Sequence, residues 1–194
     1  DGKRTVVMTR ALKGLQGAIT VDVVDYFLDG QGWTLSGSTA GATLDRVFGA
    51  KRLAEIYQRS APDYSGRITV PVLLDTHTGR IVNNESSEII RMLNSGLQDY
   101  AEHPEVELYP EPLRPAIDAV NDWVYTLINN GVYKAGFARS QSAYESAARG
   151  VFEGLTRAEA LLEESRFLTG PHVTEADIRL VTTLFRFDLV YHTH

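Results

Sequence analysis

The spacing of apolar residues in the first half of the chain switches repeatedly between a helical period and strand-like runs. Leucine, isoleucine and valine recur on one face of the helical segments, whereas β-branched residues dominate the strand-like runs. The pattern predicts, in chain order, a helix over 5–16 that stops at Gly17, a strand over 18–24, a helix over 50–59, strands over 68–74 and 80–82, and a helix over 86–97. Interleaved helices and strands indicate an α/β domain.

A short acidic segment separates this region from a second half in which only helical spacing is found. The segment, residues 98–112, contains three prolines, as is typical of a linker. Beyond it, helices are predicted over 117–128, over 140–164 and from residue 174 onward. We therefore expect an α/β N-terminal domain over 1–97 and an all-α C-terminal domain over 113–194.

Composition and charge exclude several classes of function. The 194 residues are 43% hydrophobic and 23% charged, which is typical of a globular protein with a buried core. The 19 basic and 25 acidic residues give a formal net charge of −6, which argues against nonspecific nucleic-acid binding. No run approaches the roughly 18 apolar residues of a membrane span. Neither nucleic acid nor membrane is an expected partner, and a cytoplasmic location is the default.

Cysteine and histidine usage narrows the chemistry further. The chain contains no cysteine, so no disulfide framework is possible within it. Its five histidines are scattered without the spacing of metal ligands, and no glycine-rich phosphate-binding loop is found. We expect no metal cofactor.

Two short stretches carry the most specific signals for binding. Pro71 lies inside an apolar run over 69–73, where proline is tolerated only at an edge, a bulge or a turn. If its peptide bond is cis, the main chain of Val70 is open to pair with an extended peptide. Glu85 and Ser86 follow the next predicted strand and open a helical pattern, where N–H groups and a hydroxyl can hold a carboxylate. The combination suits a small peptide with a charged end.

Three longer strings extend this evidence. They are Asn-Asn-Glu-Ser-Ser-Glu-Ile-Ile-Arg-Met-Leu-Asn from Asn83, Asn-Asn-Gly-Val-Tyr-Lys-Ala-Gly-Phe-Ala from Asn129, and Thr-Glu-Ala-Asp-Ile-Arg from Thr174, followed by Arg-Phe-Asp from Arg186. In this order they resemble the glutathionyl-hydroquinone reductases, the Xi-class glutathione transferases, over nearly all of the chain. The resemblance implies a glutathione transferase-like fold, in which a thioredoxin-like N-terminal domain precedes an all-α domain. It also implies glutathione as cosubstrate, a quinone-derived thioether as substrate and a homodimer.

The nucleophile of that family is not among these residues. Family members carry a cysteine in a Cys-Pro-Trp-x-His-Arg-Thr motif, and Arg4-Thr5 aligns with its end. The resemblance therefore implies that the cysteine lies upstream of Asp1, and that the chain is truncated at both ends with an incomplete C-terminal domain. The first strand of the thioredoxin-like domain would also be absent, from a slot between the strands over 18–24 and 68–74. We expect a preceding segment to fill that slot, because each buried backbone group left unpaired costs about 1–3 kcal/mol.

The resemblance implies a reaction with two steps. The cysteine thiolate attacks the thioether sulfur of a glutathionyl-hydroquinone, the hydroquinone leaves, and a second glutathione resolves the mixed disulfide. The leaving aromatic carbon needs a proton, and Tyr133 matches the family's tyrosine that transfers it. Tyr191 matches a tyrosine that lowers the cysteine pKa by hydrogen bonding. From residue type alone, each would be a buried helix tyrosine that satisfies its own hydroxyl.

Seven further residues match glutathione-binding positions of the family. They are Trp33, Arg67, Ile68, Thr69, Val70, Glu85 and Ser86. Arg67 suits a carboxylate because its guanidinium binds in a bidentate manner. Glu85 can accept the ammonium of the ligand, and Ser86 can donate to its α-carboxylate. Without the resemblance, Trp33 would be a hydrophobic plug, Arg67 a solvated loop charge, and Glu85-Ser86 a helix cap.

Two other functions stay open at this point. A protein that truly lacks the cysteine would be a noncatalytic glutathione-binding protein. A hydroxyl that activates glutathione would instead make the protein a conjugating glutathione transferase. Thr174 and Asp177 have the spacing of a capping box, so Asp177 is excluded from the site.

Overall fold

The computed structural model describes residues 2–192, and Asp1, Thr193 and His194 lie outside the described residues. The α-helices within that range are α1 (Gly2–Leu12), α2 (Leu53–Ser60), α3 (Ser86–Ser95), α4 (Arg114–Trp123), α5 (Gly131–Gly136), α6 (Gln141–Glu164) and α7 (Glu175–Arg186). Strands β1 (Leu73–Asp75) and β2 (Arg80–Asn83) pair antiparallel, with Leu74 opposite Ile81. Short 3₁₀ turns cover Gln98–Tyr100 and Glu111–Leu113, and π-helical segments cover Val124–Asn129 and Phe187–Tyr191.

The first helix ends earlier than its apolar spacing predicts. After Leu12 the chain reaches Gly14, whose φ of 65° is a left-handed conformation that glycine adopts without steric cost. The Leu15 N–H donates to the carbonyl of Arg10 at 2.9 Å, which closes the helix end. Gly14, rather than the predicted Gly17, therefore terminates α1.

The prediction of a strand over 18–24 was wrong. Val23 exchanges two hydrogen bonds with the loop at Thr43 instead: its carbonyl accepts from the Thr43 N–H at 2.9 Å, and its own N–H donates to the Thr43 hydroxyl at 2.9 Å. A cavity of about 760 Å³, lined by residues 19–24 and 70–74, lies between this segment and the start of β1. A strand needs a hydrogen-bonded neighbour, and no described segment fills that space. The strand predicted over 68–74 is likewise shortened to Leu73–Asp75.

Helices dominate the second half, as predicted. The helix expected over 117–128 runs from α4 into the first π-helical segment, and its apolar face joins a buried cluster. That cluster consists of Ile117, Val120, Val124, Ile128, Ala158, Leu168, Ala176 and Leu180. Ser140 caps α6, because its hydroxyl accepts the Ala143 N–H at 3.3 Å. At the start of α7, Asp177 accepts the Thr174 N–H at 2.9 Å, which confirms the capping box.

The predicted linker is fastened to the end of the first helix. Lys13 follows α1 and is fully buried. Its ammonium donates to the carbonyl of Val106 at 2.7 Å and to Oε1 of Gln98 at 3.1 Å. The His103 N–H donates in turn to the Lys13 carbonyl at 3.2 Å. These bonds hold the segment from 98 to 106 against the N-terminal half.

Three helices bring the two halves of the chain together. α1 packs against both α3 and α7. At its contact with α7, the buried hydroxyls of Thr5 and Thr182 lie 3.5 Å apart. The N-terminal ends of α1 and α3 and the C-terminal end of α7 are thereby placed around the candidate site. None of the helices within residues 2–192 is both long enough and apolar enough to cross a membrane.

Candidate functional site

Two of the predicted site residues, Tyr133 and Tyr191, meet edge to face. Tyr133 lies on α5 and Tyr191 ends the second π-helical segment. The Tyr191 hydroxyl donates to the Tyr133 hydroxyl at 3.3 Å, and their ring centroids are 5.8 Å apart. Arg186 Nη1 donates to the Tyr191 hydroxyl at 2.8 Å. Because Tyr133 remains 38% exposed, this hydrogen-bonded pair is open to a ligand rather than sealed in the core.

The surroundings of Tyr191 keep its hydroxyl protonated. Burial raises the pKa of Tyr191, and the hydrogen bond with Tyr133 raises it further, while the positive charges of Arg186 and Arg4 oppose the rise. A phenol ionises near pH 10 in water, so Tyr191 is a hydrogen-bond donor at neutral pH. A donor of this kind can stabilise a neighbouring thiolate.

Asn129 fixes the segment that leads into α5. Its side-chain amide donates to the Thr183 hydroxyl at 2.7 Å and to the Arg179 carbonyl at 3.0 Å, both on α7. These two bonds tie the chain just before Tyr133 to the helix that leads to Tyr191. Asn129 therefore helps to position the tyrosine pair. Its residue type alone did not indicate this role.

Ser86, Pro71 and the start of α1 converge at one point. The Val70–Pro71 peptide bond is cis, which is the condition under which the main chain of Val70 is open to an extended peptide. Ser86 is the first residue of α3, and a Cβ atom placed on Gly2 would collide with its hydroxyl oxygen and lie 3.9 Å from Cδ of Pro71. The first turn of α1 thus packs directly against both predicted binding stretches, at an approach that only glycine permits.

A hydrogen-bonded network supports the main chain at Thr69. Tyr57, buried on α2, donates to the carbonyl of Thr69 at 2.9 Å. The Asn84 amide donates to the Tyr57 hydroxyl at 3.1 Å and to the Thr69 hydroxyl at 3.2 Å. This Tyr57–Thr69–Asn84 network joins the stretch before Pro71 to the stretch that contains Glu85. The sequence predictions missed Tyr57 and Asn84, although Asn84 lies within one of the family-like strings.

The remaining predicted residues lie at the edge of the N-terminal half. Glu85 is exposed and caps α3 without a side-chain hydrogen bond to the helix, so its carboxylate is available. Arg67 is exposed as well, and its carbonyl accepts the Tyr64 hydroxyl at 2.9 Å. Trp33 packs against the N-terminal core, and Nζ of Lys3 lies 5.4 Å from its ring centroid. Ile68 packs on the same core.

The large cavity and the predicted peptide site are neighbours rather than one hollow. Val70 and Pro71 line the 760 Å³ cavity, whereas Trp33, Glu85, Ser86 and the two tyrosines do not. The predicted residues therefore form two separate groups. Tyr133 contacts Tyr191 in one group, and Ser86 lies near Pro71 in the other. The first turn of α1 contacts the second group at Gly2, and the charge of Arg4 in the same turn acts on Tyr191.

Three basic residues near that turn were not assigned from the sequence. They are Lys3, Arg4 and Arg186. Burial lowers the pKa of Lys3, and the positive charges of Arg4 and Arg186 lower it further, which reflects how closely the three are placed. Among residues 2–192 no carboxylate forms an ion pair with Lys3 or Arg4. Positive charge at a helix N-terminus favours an anion such as a thiolate or a carboxylate.

The arrangement can hold an anionic ligand beside a protonated phenol. It supplies main-chain groups, a serine hydroxyl, a free carboxylate and a hydrogen-bonded tyrosine pair. In the part of the chain that the structure describes, no group of three or more histidine, aspartate or glutamate side chains is placed to hold a metal ion.

Comparison with known proteins identifies the family of the chain. The family model described as "Glutathione S-transferase, N-terminal domain" matches residues 4–95, and that described as "Glutathione S-transferase, C-terminal domain" matches residues 141–194. The chain is 50% identical over 191 residues to the glutathionyl-hydroquinone reductase YqjG of Escherichia coli (strain K12). The alignment covers 98% of this chain and 58% of YqjG.

Solved structures give the same result. The glutathione-bound structure of YqjG matches with a TM-score of 0.96 and 48% identity, over 100% of this chain and 62% of that one. Glutathione transferase Xi 1 from Trametes versicolor matches with a TM-score of 0.95 and 47% identity, over 100% of this chain and 68% of that one. The chain spans about three fifths of the length of the curated relatives it matches.

Proposed function

Because the chain belongs to the glutathione transferase family, in the Xi class of glutathionyl-hydroquinone reductases, we propose that the protein reduces glutathionyl-hydroquinones with glutathione. The net reaction converts one thioether and one glutathione into a hydroquinone and glutathione disulfide. The nucleophile is a cysteine that the family carries upstream of the position of Arg4-Thr5. The observation that carries the proposal is the Tyr133–Tyr191 hydrogen bond, with Arg4 of the first turn of α1 near enough for its charge to act on Tyr191.

The proposed chemistry assigns the two tyrosines different tasks. The thiolate attacks the sulfur of the thioether, the carbon–sulfur bond breaks, and its electron pair remains on the ring carbon. Tyr133, the more exposed phenol, donates the proton that this carbon takes up. Tyr191 has a single O–H, which turns from Tyr133 to the sulfur and stabilises the thiolate as a hydrogen-bond donor. The second glutathione then attacks the mixed disulfide, releases glutathione disulfide and regenerates the thiolate. Its thiol proton restores Tyr133.

The proposed glutathione site is built from the stretches that contain Val70 and Ser86. The main chain at Val70 pairs with the extended tripeptide, while Ser86 holds its α-carboxylate and Glu85 its ammonium. Arg67, Ile68 and Thr69 flank the ligand, and Trp33 packs on it. The Tyr57–Thr69–Asn84 network supports this proposal because it links the two stretches that must act together.

A paired substitution tests the reductase proposal. In the full-length protein, Tyr133→Phe is expected to slow the release of hydroquinone from its glutathione thioether by about 10²–10⁴-fold, the usual contribution of a positioned acid. Glutathione binding should persist. Tyr144→Phe is the matched control, because Tyr144 is 39% exposed against 38% for Tyr133 and lies on α6.

Three results would contradict the proposal. A full-length protein that contains the cysteine and binds glutathione but releases no hydroquinone would be a noncatalytic binding protein. Conjugation of an electrophile without thioether reduction would identify a conjugating transferase. Equal effects of the Tyr133 and Tyr144 substitutions would remove the proposed proton donor.

Family membership also supports three further proposals. We propose that the domains divide at the linker, with boundaries at 97 and 113, that the protein forms a homodimer, and that it is cytoplasmic. Sedimentation of the full-length protein tests the dimer, and subcellular fractionation tests the location. The formal charge of −6 supports the absence of a nucleic-acid partner.

A further inference from the structure

Arg91 and Glu175 form an ion pair between the two halves of the chain. Arg91 lies on α3, and Glu175 is the first residue of α7. Arg91 Nη2 donates to Glu175 Oε1 at 2.7 Å, and Nε donates to Oε2 at 3.1 Å, which is the bidentate geometry specific to arginine. The Glu175 side chain is only 3% exposed. Both residues belong to family-like strings, yet the proposed reaction assigns them no task.

Further polar contacts restrict the geometry of this pair. The Asn121 amide donates to Glu175 Oε1 at 2.8 Å, and Arg91 Nη2 also donates to Asp118 Oδ1 at 2.5 Å. The Tyr109 hydroxyl donates to Asp118 Oδ2 at 2.7 Å, and the Arg91 guanidinium carbon lies 3.8 Å from the centroid of the Tyr109 ring. The guanidinium is therefore held by α4, by α7 and by the segment before α4. Hydrogen bonding to Glu175 raises the pKa of Arg91, so its charge is permanent.

The two helices joined by this pair carry the two groups of the candidate site. Ser86 begins α3, about 7.5 Å along the helix axis from Arg91 at 1.5 Å per residue. At the other end of α7, Arg186 donates to Tyr191, which in turn bonds Tyr133. A shift of α7 relative to α3 would therefore change the distance between bound glutathione and the tyrosine pair.

We propose that Arg91 is a positioning residue for the reaction. Through Glu175 it fixes α7 relative to α3, and so holds the proton donor at the distance from glutathione that thioether cleavage needs. This inference rests on the proposed function. It differs from a purely stabilising role, because a loss of positioning lowers kcat while the folded state and glutathione binding remain.

Arg91→Lys in the full-length protein is the principal test, since lysine keeps the charge but cannot make the planar fork. We expect kcat for thioether cleavage to fall about 10–100-fold, because a misplacement of about 1 Å can cost that much. KM and the glutathione Kd should change less than about twofold, since Ser86 and Val70 stay in place. Arg157→Lys is the matched control: Arg157 pairs with Glu153 on the exposed surface of α6 and joins no second helix.

A second variant covers the case in which the first fails to fold. Arg91→Met combined with Glu175→Gln removes both charges, so no buried carboxylate is left without a partner. It should fold and show a kcat at least as low as Arg91→Lys. A kcat within twofold of wild type in either folded variant would overturn the proposal. So would a loss confined to glutathione affinity, or an equal loss in Arg157→Lys.

Hydrogen exchange separates this inference from the proposed function. If the wild-type protein does not cleave the thioether, the reductase proposal fails, but the coupling of α3 to α7 can still be measured. Amides of residues 187–192 should exchange at least tenfold faster in Arg91→Lys than in Arg157→Lys. Equal exchange rates in the two variants would overturn the positioning role whether or not the enzyme turns over.

Discussion

Removal of one hydroxyl, in Tyr57→Phe, should weaken both the fold and glutathione binding. Tyr57 is 2% exposed, donates to the Thr69 carbonyl at 2.9 Å and accepts from Asn84 at 3.1 Å. Phenylalanine fills the same space but leaves the carbonyl and the amide without this partner. Leaving a buried polar group unsatisfied costs about 1–3 kcal/mol, and we expect the free energy of unfolding to fall by that amount.

The chain offers a control with the same chemistry at the surface. The Tyr64 hydroxyl donates to the Arg67 carbonyl at 2.9 Å, but Tyr64 is 37% exposed, and its ring lies 4.9 Å from that of Tyr57. Water can replace the bond that Tyr64→Phe removes. The free energy of unfolding should therefore change by no more than about 0.5 kcal/mol in this variant.

Two measurements on the full-length protein compare Tyr57→Phe with Tyr64→Phe. Urea denaturation gives the free energy of unfolding, and calorimetric titration gives the glutathione Kd. Because the network supports the main chain next to Val70, Tyr57→Phe should raise that Kd about tenfold, which corresponds to about 1.4 kcal/mol. Tyr64→Phe should leave it unchanged. Equal effects of the two substitutions on unfolding, or an unchanged Kd in Tyr57→Phe, would refute the reasoning.

Four further substitutions test other parts of the structure. Hydrogen bonds from three hydroxyls and from one backbone N–H hold the pKa of Asp25 well below its usual value, so its contribution to stability is present above about pH 3.9 and is lost as the pH falls further. In Asp25→Asn the thermal midpoint should depend less on pH between 5 and 2, and an unchanged slope would contradict this. Gly154→Ala should destabilise by about 1–3 kcal/mol, because its Cβ would lie 2.7 Å from Cγ1 of Ile128. Gly150→Ala, whose Cβ would lie 3.6 Å from its nearest neighbour, should instead stabilise α6 by about 0.5–1 kcal/mol. Urea denaturation measures the free energy of unfolding of both glycine variants, and a change of the opposite sign in either variant would contradict its prediction. Thr174→Ala should cost about 1 kcal/mol through loss of the cap of α7, and a cost near zero would show that the capping box contributes little.

Local rules were sufficient for most of the helices, although they placed the end of α1 too late and did not predict α5. The apolar spacing located every helix of the second half that the prediction named, and Ser140 and Thr174 marked two starts correctly because a cap depends on only a few neighbouring residues. The segment over 18–24 failed for the opposite reason. Its β-branched residues favour an extended chain, but a strand also needs a partner, which no local pattern supplies.

The candidate site shows the same division. Tyr133 and Tyr191 could be named only through family-like strings, because 58 residues separate them and their contact arises from the packing of α5 near the end of α7. Tyr57 and Arg91 carried no signal in isolation. A buried tyrosine and a helical arginine are common in any protein. Their roles became evident only from the contacts of Tyr57 with Asn84 and of Arg91 with Glu175.

The burial of Lys13 changes what the segment between the halves can do. Connections between domains commonly permit relative motion, but here a buried ammonium is bonded to the carbonyl of Val106 and the side chain of Gln98. Rotation within residues 98–106 would have to break these bonds and expose the cation to solvent. Because α1 also packs against α7, the protein should melt in a single cooperative step, with Lys13 among the last lysines to react with an acylating reagent.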